Sequence, residues 1–214
     1  MQFNMTPEEF FRLTIDLYAD ARKSKFAHPH IHRGRSRSIS SELEDLLALY
    51  LAKNNPTPCE YYTDQQVRFG GRTRYPDIIV QQSDGTINDL IDVKSDIGWK
   101  RDSLFEFCSE WEATINEMKG KTVSFLRGAD KQRINGKFSD KLKYHVVLIS
   151  RLNSSKVLEE HYNRVRSELD NVDVYLLSGG RHPNDYGIDR EELLSRMEID
   201  HAEFGRLMTS ITST

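Results

Sequence analysis

The sequence predicts an α/β fold in which a mixed central sheet is flanked by helices, with further helices at either end of the chain. Three observations predict it. An Asp84-Gly85 turn signal joins two apolar segments, Tyr75 to Gln82 and Ile87 to Asp92, and so favours an antiparallel hairpin. Tyr144 to Ser150 and Val172 to Leu177 are continuous apolar runs of strand length, the pattern of strands buried on both faces. Between and before these strands, apolar residues recur at helical spacing.

Taken in order, Thr6-Pro7-Glu8-Glu9 is a capping box with proline at the first helical position. Phe10, Phe11, Ile15, Leu17 and Tyr18 then support a helix to about Arg22. Lys23 to Ser38 is basic and without periodicity, and contains Pro29 and Gly34, so an exposed loop is expected. A second helix is expected from Ser41 to Lys53, with Leu43, Leu46, Leu47, Tyr50 and Leu51 on one face and Asn54-Asn55-Pro56 as its stop. Tyr61 to Phe69, bounded by Gly70-Gly71, reads as the first strand, and the hairpin supplies the second and third.

After Gly98, Leu104, Cys108, Trp111, Ile115 and Met118 predict a helix with Gly120 at its C-terminal cap. Arg127 to Lys143, basic and holding Gly128 and Gly136, reads as a loop. The strand at Tyr144, a helix from Ser154 to Leu169 and the strand at Val172 complete the order helix, three strands, helix, strand, helix, strand. Ser178-Gly179-Gly180 reads as an architectural turn. A last helical stretch from Asp189 to about Ser210 is expected outside this core or against a partner.

At 214 residues with 37% hydrophobic content, one domain with a sizeable core is the expectation. Its parts are an N-terminal helix and basic loop (1–39), a core (40–178) and a C-terminal helical extension (179–214). A net charge of −3 gives no bulk attraction to polyanions, so any such contact must come from local clusters, as between Arg22 and Arg37. Cys59 and Cys108 have no zinc spacing and are too few to staple a secreted domain. With no long apolar run and no charged-then-apolar leader, a cytoplasmic protein without membrane contact is expected.

The chemistry-bearing feature is Asp92-Val93-Lys94, fifteen residues after the Pro76-Asp77 pair. Alternate side chains of a strand share a face, so Asp92 and Lys94 should project together while Ile91 and Val93 pack on the other side. Asp77 should join them from the neighbouring strand. A plain cross-strand ion pair is the alternative for the same residues.

This arrangement resembles the PD-(D/E)XK nuclease superfamily, the restriction-endonuclease-like fold. Its signature is a Pro-Asp pair followed by Asp or Glu, an apolar residue and Lys, on an αβββαβαβ core that residues 40–178 match in element order. The resemblance implies a Mg²⁺-dependent phosphodiesterase, with Mn²⁺ able to substitute. Asp77 and Asp92 would be metal ligands, the Val93 carbonyl a further one, and Lys94 the cation that positions the attacking water or steadies the phosphorane. The family often adds a glutamate from the helix before the hairpin. Glu42 and Glu44 are candidates, and Glu44 is preferred for its place at the edge of the apolar stripe, although a Ser41-x-x-Glu44 capping box accounts for it equally.

Double-stranded DNA is the partner the resemblance implies. Arg33, Arg35 and Arg37 form a short cationic run before the second helix, and Lys100 and Arg101 follow the acid-x-Lys strand at the next helix entry. Lys131 and Arg133 belong to the basic stretch that would wrap a duplex. Trp99 reads equally as a core plug. His28, His30 and His32 alternate, but Pro29 and the lack of a fourth ligand argue against zinc. His145, opening a buried strand, reads as structural. The expected activity is that of a type II restriction enzyme or related defence nuclease acting as a homodimer, whose amphipathic terminal helices would form the twofold contact. A DNA repair or junction-resolving nuclease and a non-catalytic nucleic-acid-binding module on the same fold are the alternatives.

Overall fold

A computed structural model describes residues 4–26, 28–69, 71–96, 98, 102–154 and 156–212. The chain opens with α1 (Pro7–Ala21), started by the reciprocal Thr6 and Glu9 capping box. The basic stretch after it has no regular structure among its described residues, and α2 (Ser40–Asn54) follows. Its first residue lies one position earlier than the sequence indicates, and Ile39 caps it with no side-chain bond. Ser41 is therefore inside the helix, and the capping-box explanation of Glu44 does not hold.

The expected strand from Tyr61 to Phe69 is two elements. β1 (Cys59–Thr63) ends at Asp64, whose φ of 48° breaks the extended chain. β2 (Val67–Phe69) then pairs with β3 (Arg72–Arg74) in a small hairpin of its own. β4 (Ile78–Gln82) and β5 (Thr86–Lys94) form the expected antiparallel hairpin, and Gly85 supplies the left-handed turn residue at φ 87°. α3 (Leu104–Met118) follows, with Gly120 just beyond its end at φ 71°.

The stretch Arg127 to Lys143 corrects the sequence reading more sharply. It is no loop but the turn and much of the second arm of a hairpin between β6 (Thr122–Leu126) and β7 (Arg133–Leu148). Its inward side chains, Ile134, Phe138 and Leu142, join the core on the α3 side, but Gly136 and Asp140 interrupt that period and charged residues surround it, and Gly136 permits the close approach of β5. A Cβ there would meet Gln81 Nε2 at 2.8 Å and Ile87 Cδ1 at 2.9 Å. α4 (Leu158–Glu168) and β8 (Val172–Leu176) fall where expected.

The C-terminal stretch also differs. β9 (Ser178–Gly180) occupies the expected turn, and α5 (Arg190–Ser195) gives way to β10 (Met197–Ile199), which pairs with β9 before α6 (His201–Thr212) begins.

The main sheet runs β1-β4-β5-β7-β6, with β8 also on β7. Its pairings are antiparallel except β5 with β7 and β7 with β8, so the sheet is mixed. Alternation gives it two apolar faces. Ile78, Val80, Ile91, Val93, Val147 and Tyr175 face one core with α1, α2, α5 and α6. Ile79, Leu90, Tyr144, Val146, Leu148 and Val174 face the other with α3 and α4. α6 is part of the first core, for Phe204 packs edge-on against Phe10, 5.7 Å between ring centres, and is also in contact with Phe11 and Tyr50. The apolar faces that the terminal helices offered for a twofold contact are thus covered within the chain. No helix among the described residues is long and apolar enough to cross a membrane.

Candidate active site

The site is built where β5 ends and β4 begins. Period-two alternation sends Leu90, Asp92 and Lys94 to the α3 side of the sheet, opposite Ile91 and Val93. The antiparallel register pairs Ile78 with Ile91, which brings Asp77 alongside Asp92 and Val93. The result is a tight cluster. Lys94 Nζ lies 3.0 Å from Asp77 Oδ2 and 3.0 Å from Asp92 Oδ2. The Val93 amide donates to the same Asp77 oxygen at 2.6 Å. The side chains of Asp92, Asp77 and Lys94 are 9%, 17% and 24% exposed, so water screens their charges only in part.

α2 brings the third carboxyl group. Thr63, the last residue of β1, donates its hydroxyl to Asp45 at 2.8 Å, and the Asp64 amide donates to the Asp77 carbonyl at 2.9 Å. These bonds dock the first half of α2 at the mouth of the hairpin. Glu44, half-buried there, lies within the field of Asp77, whereas Glu42 is exposed and accepts from the Ser41 hydroxyl at 3.0 Å. Of the two glutamates, Glu44 is the one at the cluster.

The electrostatics of the cluster are unbalanced. Burial, then the Asp77 charge, pushes the Asp92 carboxyl up to about 6. Burial, then Asp77 and Asp64, pushes Glu44 up to about 7. Lys94 is the cation that works against both shifts. Its own burial disfavours its charge, but Asp92 and Asp77 outweigh that and raise its pKa, so it stays an ammonium. Two carboxyl groups thus share one ammonium with a third in their field, and burial first, then mutual repulsion, drives Asp92 and Glu44 towards neutrality.

That deficit suits a hard divalent cation, which binds through one or two carboxylates and keeps several waters. Asp77 and Asp92 fit the role because their oxygens already converge on one point. Among the described residues no three His, Cys, Asp or Glu side chains stand ready as a complete cage, so the fit is that of a carboxylate pair rather than of a closed structural site.

The sequence-derived nucleic-acid contacts divide. Arg33 and Arg35 are exposed, and a broad concavity in the same loop is lined by Arg22, Lys23, His28, His32 and Arg33. The root of this loop lies at the Lys94 end of the sheet. Tyr18 near the end of α1 lies beside Ser95, and its ring lies 5.6 Å from that of His182, whose Nε2 is 3.8 Å from Asp96. Arg37 is different, since its guanidinium donates to the Asp20 carbonyl at 3.0 Å and its amide to Ala21, so it fastens the loop to α1. Lys131 and Arg133 are exposed, but the register places them beyond the start of β5, opposite its Lys94 end, because Lys137 already pairs with Thr86. Lys100 and Arg101, with Trp99, lie outside the described residues.

Of the histidines, His145 has the structural place expected of it. The His30 amide donates to His28 Nδ1 at 3.2 Å, a local turn contact, and His145 is fully buried between Asp89 at 2.8 Å and the Tyr175 hydroxyl at 3.1 Å. Two residues beside the cluster were missed. Tyr144 faces Asp92 from β7, and Trp111 stacks on Tyr144 with ring centres 3.9 Å apart while Arg74 lies 5.9 Å over the Trp111 ring. Their approach depends on the parallel pairing of β5 with β7, a long-range register that no local pattern encodes.

Compared with family models, with curated proteins and with solved structures, the chain gives no match in any of the three.

Proposed function

We propose that the chain is a Mg²⁺-dependent DNA endonuclease, of the type II restriction kind or a related defence nuclease. The observation that carries this reading is the Lys94 ammonium at 3.0 Å from both Asp77 and Asp92 at the mouth of the hairpin. A structural ion pair needs one carboxylate. Here a second shares the same cation and Glu44 lies in the field of Asp77, and burial together with that repulsion makes Asp92 and Glu44 resist ionising, an arrangement that opposes folding and is characteristic of functional sites.

Asp77 and Asp92 would hold the divalent ion, with the Val93 carbonyl and Glu44 as further ligands. Bound there, the ion supplies an activated water and offsets charge on the phosphorane and the leaving oxygen. Val93 keeps Asp77 aimed by its amide bond. Lys94, protonated and short of no acceptor, turns from the carboxylates to an oxygen of the scissile phosphate or to the attacking water. Arg33 and Arg35, exposed on the loop that follows α1, would neutralise backbone phosphates of the duplex. A homodimer for symmetric cutting would use surfaces other than the α1 and α6 faces that the chain itself covers.

The test is incubation of the purified protein with supercoiled plasmid and Mg²⁺ beside Lys94→Ala and Asp92→Ala. Cleavage by the wild type, with at least a hundredfold loss in both variants, is expected. Uncut plasmid retained in a salt-sensitive complex would replace the enzyme by a binding module. Preference for four-way junctions over linear duplex would replace the restriction reading by a resolving one.

A further inference from the structure

The second feature of the site is a buried tyrosine hydroxyl whose neighbouring acceptor is the Asp92 carboxylate. Tyr144 is fully buried, and among the described residues its hydroxyl has no hydrogen-bond partner of ordinary geometry. A buried polar atom left so is costly to folding and calls for a reason. Packing explains the ring but not the oxygen. Trp111 stacks on it at 3.9 Å and an interplanar angle of 14°, which fixes the ring and leaves the hydroxyl proton free to turn.

The oxygen faces the Asp92 carboxylate. In the parallel register Leu90 pairs with Tyr144 and Asp92 with Val146, so Tyr144 stands on the same face as Asp92 and one diagonal step away. After burial itself, the Asp92 charge is the largest influence on the Tyr144 phenol. Asp92 is in turn a buried carboxylate whose ion-pair partner is Lys94. A carboxylate has about four acceptor positions, so one ammonium leaves it short of donors. Among the described residues, a donor without a bond of ordinary geometry and a carboxylate with acceptor positions to spare therefore stand side by side.

We propose that Tyr144 is a positioning residue for Asp92: its hydroxyl is the donor that takes hold of the carboxylate when the Lys94 ammonium leaves it. The proposal rests on the nuclease reading for its purpose, since it is there that Lys94 has somewhere else to go. Without a second donor, the departure of Lys94 would leave Asp92 free to rotate and the pair of carboxylates no longer converging. With it, the carboxylate keeps one fixed oxygen and presents the other. Outer partners of this kind orient metal ligands, and removing them weakens binding by about 10–100-fold.

The experiment compares wild type, Tyr144→Phe and Lys94→Ala by three readouts. Tyr144→Phe removes only the unbonded oxygen, so its thermal midpoint should equal or exceed that of the wild type. Binding of Mn²⁺ alone, followed by electron paramagnetic resonance, should weaken at least tenfold in Tyr144→Phe, and kcat for plasmid cleavage should fall while KM for DNA holds. The third readout needs neither metal nor activity. The buried Tyr144 hydroxyl proton should move downfield by NMR in Lys94→Ala, where Asp92 has lost its ammonium.

A Tyr144→Phe protein with wild-type Mn²⁺ affinity and kcat, or a hydroxyl proton that stays put in Lys94→Ala, overturns the proposal. A wild type that neither binds Mn²⁺ nor cuts overturns the nuclease reading instead, and the proton shift then decides the Tyr144 contact by itself.

Discussion

The Val93 amide and the Lys94 ammonium bond the same oxygen of Asp77, at 2.6 and 3.0 Å. One carboxylate of the acidic pair is therefore gripped by the strand that carries the other. The grip explains how two carboxyl groups that repel each other remain at one spot. It also makes Asp77 part of the fold as well as of the site.

Asp77→Ala should consequently lose stability as well as function. It leaves the Val93 amide without its acceptor, a loss of about 1–3 kcal/mol. Asp77→Asn keeps an acceptor oxygen and should lose less. Urea denaturation of the two variants at pH 8 checks the ordering, and equal midpoints for wild type and Asp77→Ala would mean that the amide bond holds nothing together.

Glu44 and Asp92 set a dependence on pH with a definite sign. Their folded values, about 7 and about 6, lie above the ordinary values of about 4.3 and 3.9, so the folded chain keeps protons that the unfolded chain gives up. The stability they contribute is complete below about pH 4 and is lost as pH rises through 6 and 7. Glu44→Gln should therefore match the wild type near pH 4 and exceed its thermal midpoint at pH 8. A Glu44→Gln variant that melts lower than wild type at pH 8 would show that this carboxyl group is held by a favourable contact, not crowded.

Much of this site was legible because its geometry is local. The Asp84-Gly85 turn and period-two alternation bring the Asp77 and Asp92 ends of the hairpin together, while a bulge at Asn88, which no sequence pattern announced, shifts the register that sets Asp77 opposite Asp92. What escaped was set by long-range pairing or by backbone. In the arm from Arg133 to Lys143 the apolar period of Ile134, Phe138 and Leu142 is interrupted by Gly136 and Asp140, and its place as a strand comes from pairing with Thr122–Leu126 and from the clearance at Gly136. Ser178–Gly180 has turn residues, yet Met197–Ile199 comes back to pair with it, and Gly180, at φ 68° with the Arg196 carbonyl 2.7 Å from where a Cβ would sit, is a position only glycine fills. The Ser41-x-x-Glu44 signature misled for a simpler reason. The helix begins at Ser40, so the serine that looked like a cap is already helical.

The two kinds of arginine in the basic loop should separate in experiment. Arg33→Ala with Arg35→Ala removes exposed charge, so the thermal midpoint should hold while DNA affinity falls and the slope of log K against log salt shallows by about 1–2. Arg37→Ala unties the loop from α1 and should lower the midpoint. An unchanged salt slope in the double variant, measured by fluorescence anisotropy on a short duplex, would place the DNA on another face.

The central claim is that Asp77 and Asp92 close on a single divalent cation. Anomalous diffraction from a crystal soaked in Mn²⁺ tests it most directly. The account predicts one strong peak within ligand distance, about 2.0–2.2 Å, of an oxygen from each carboxylate, with Lys94 displaced from between them. A clean map in which Lys94 stays seated between the two and no peak lies near either would contradict it.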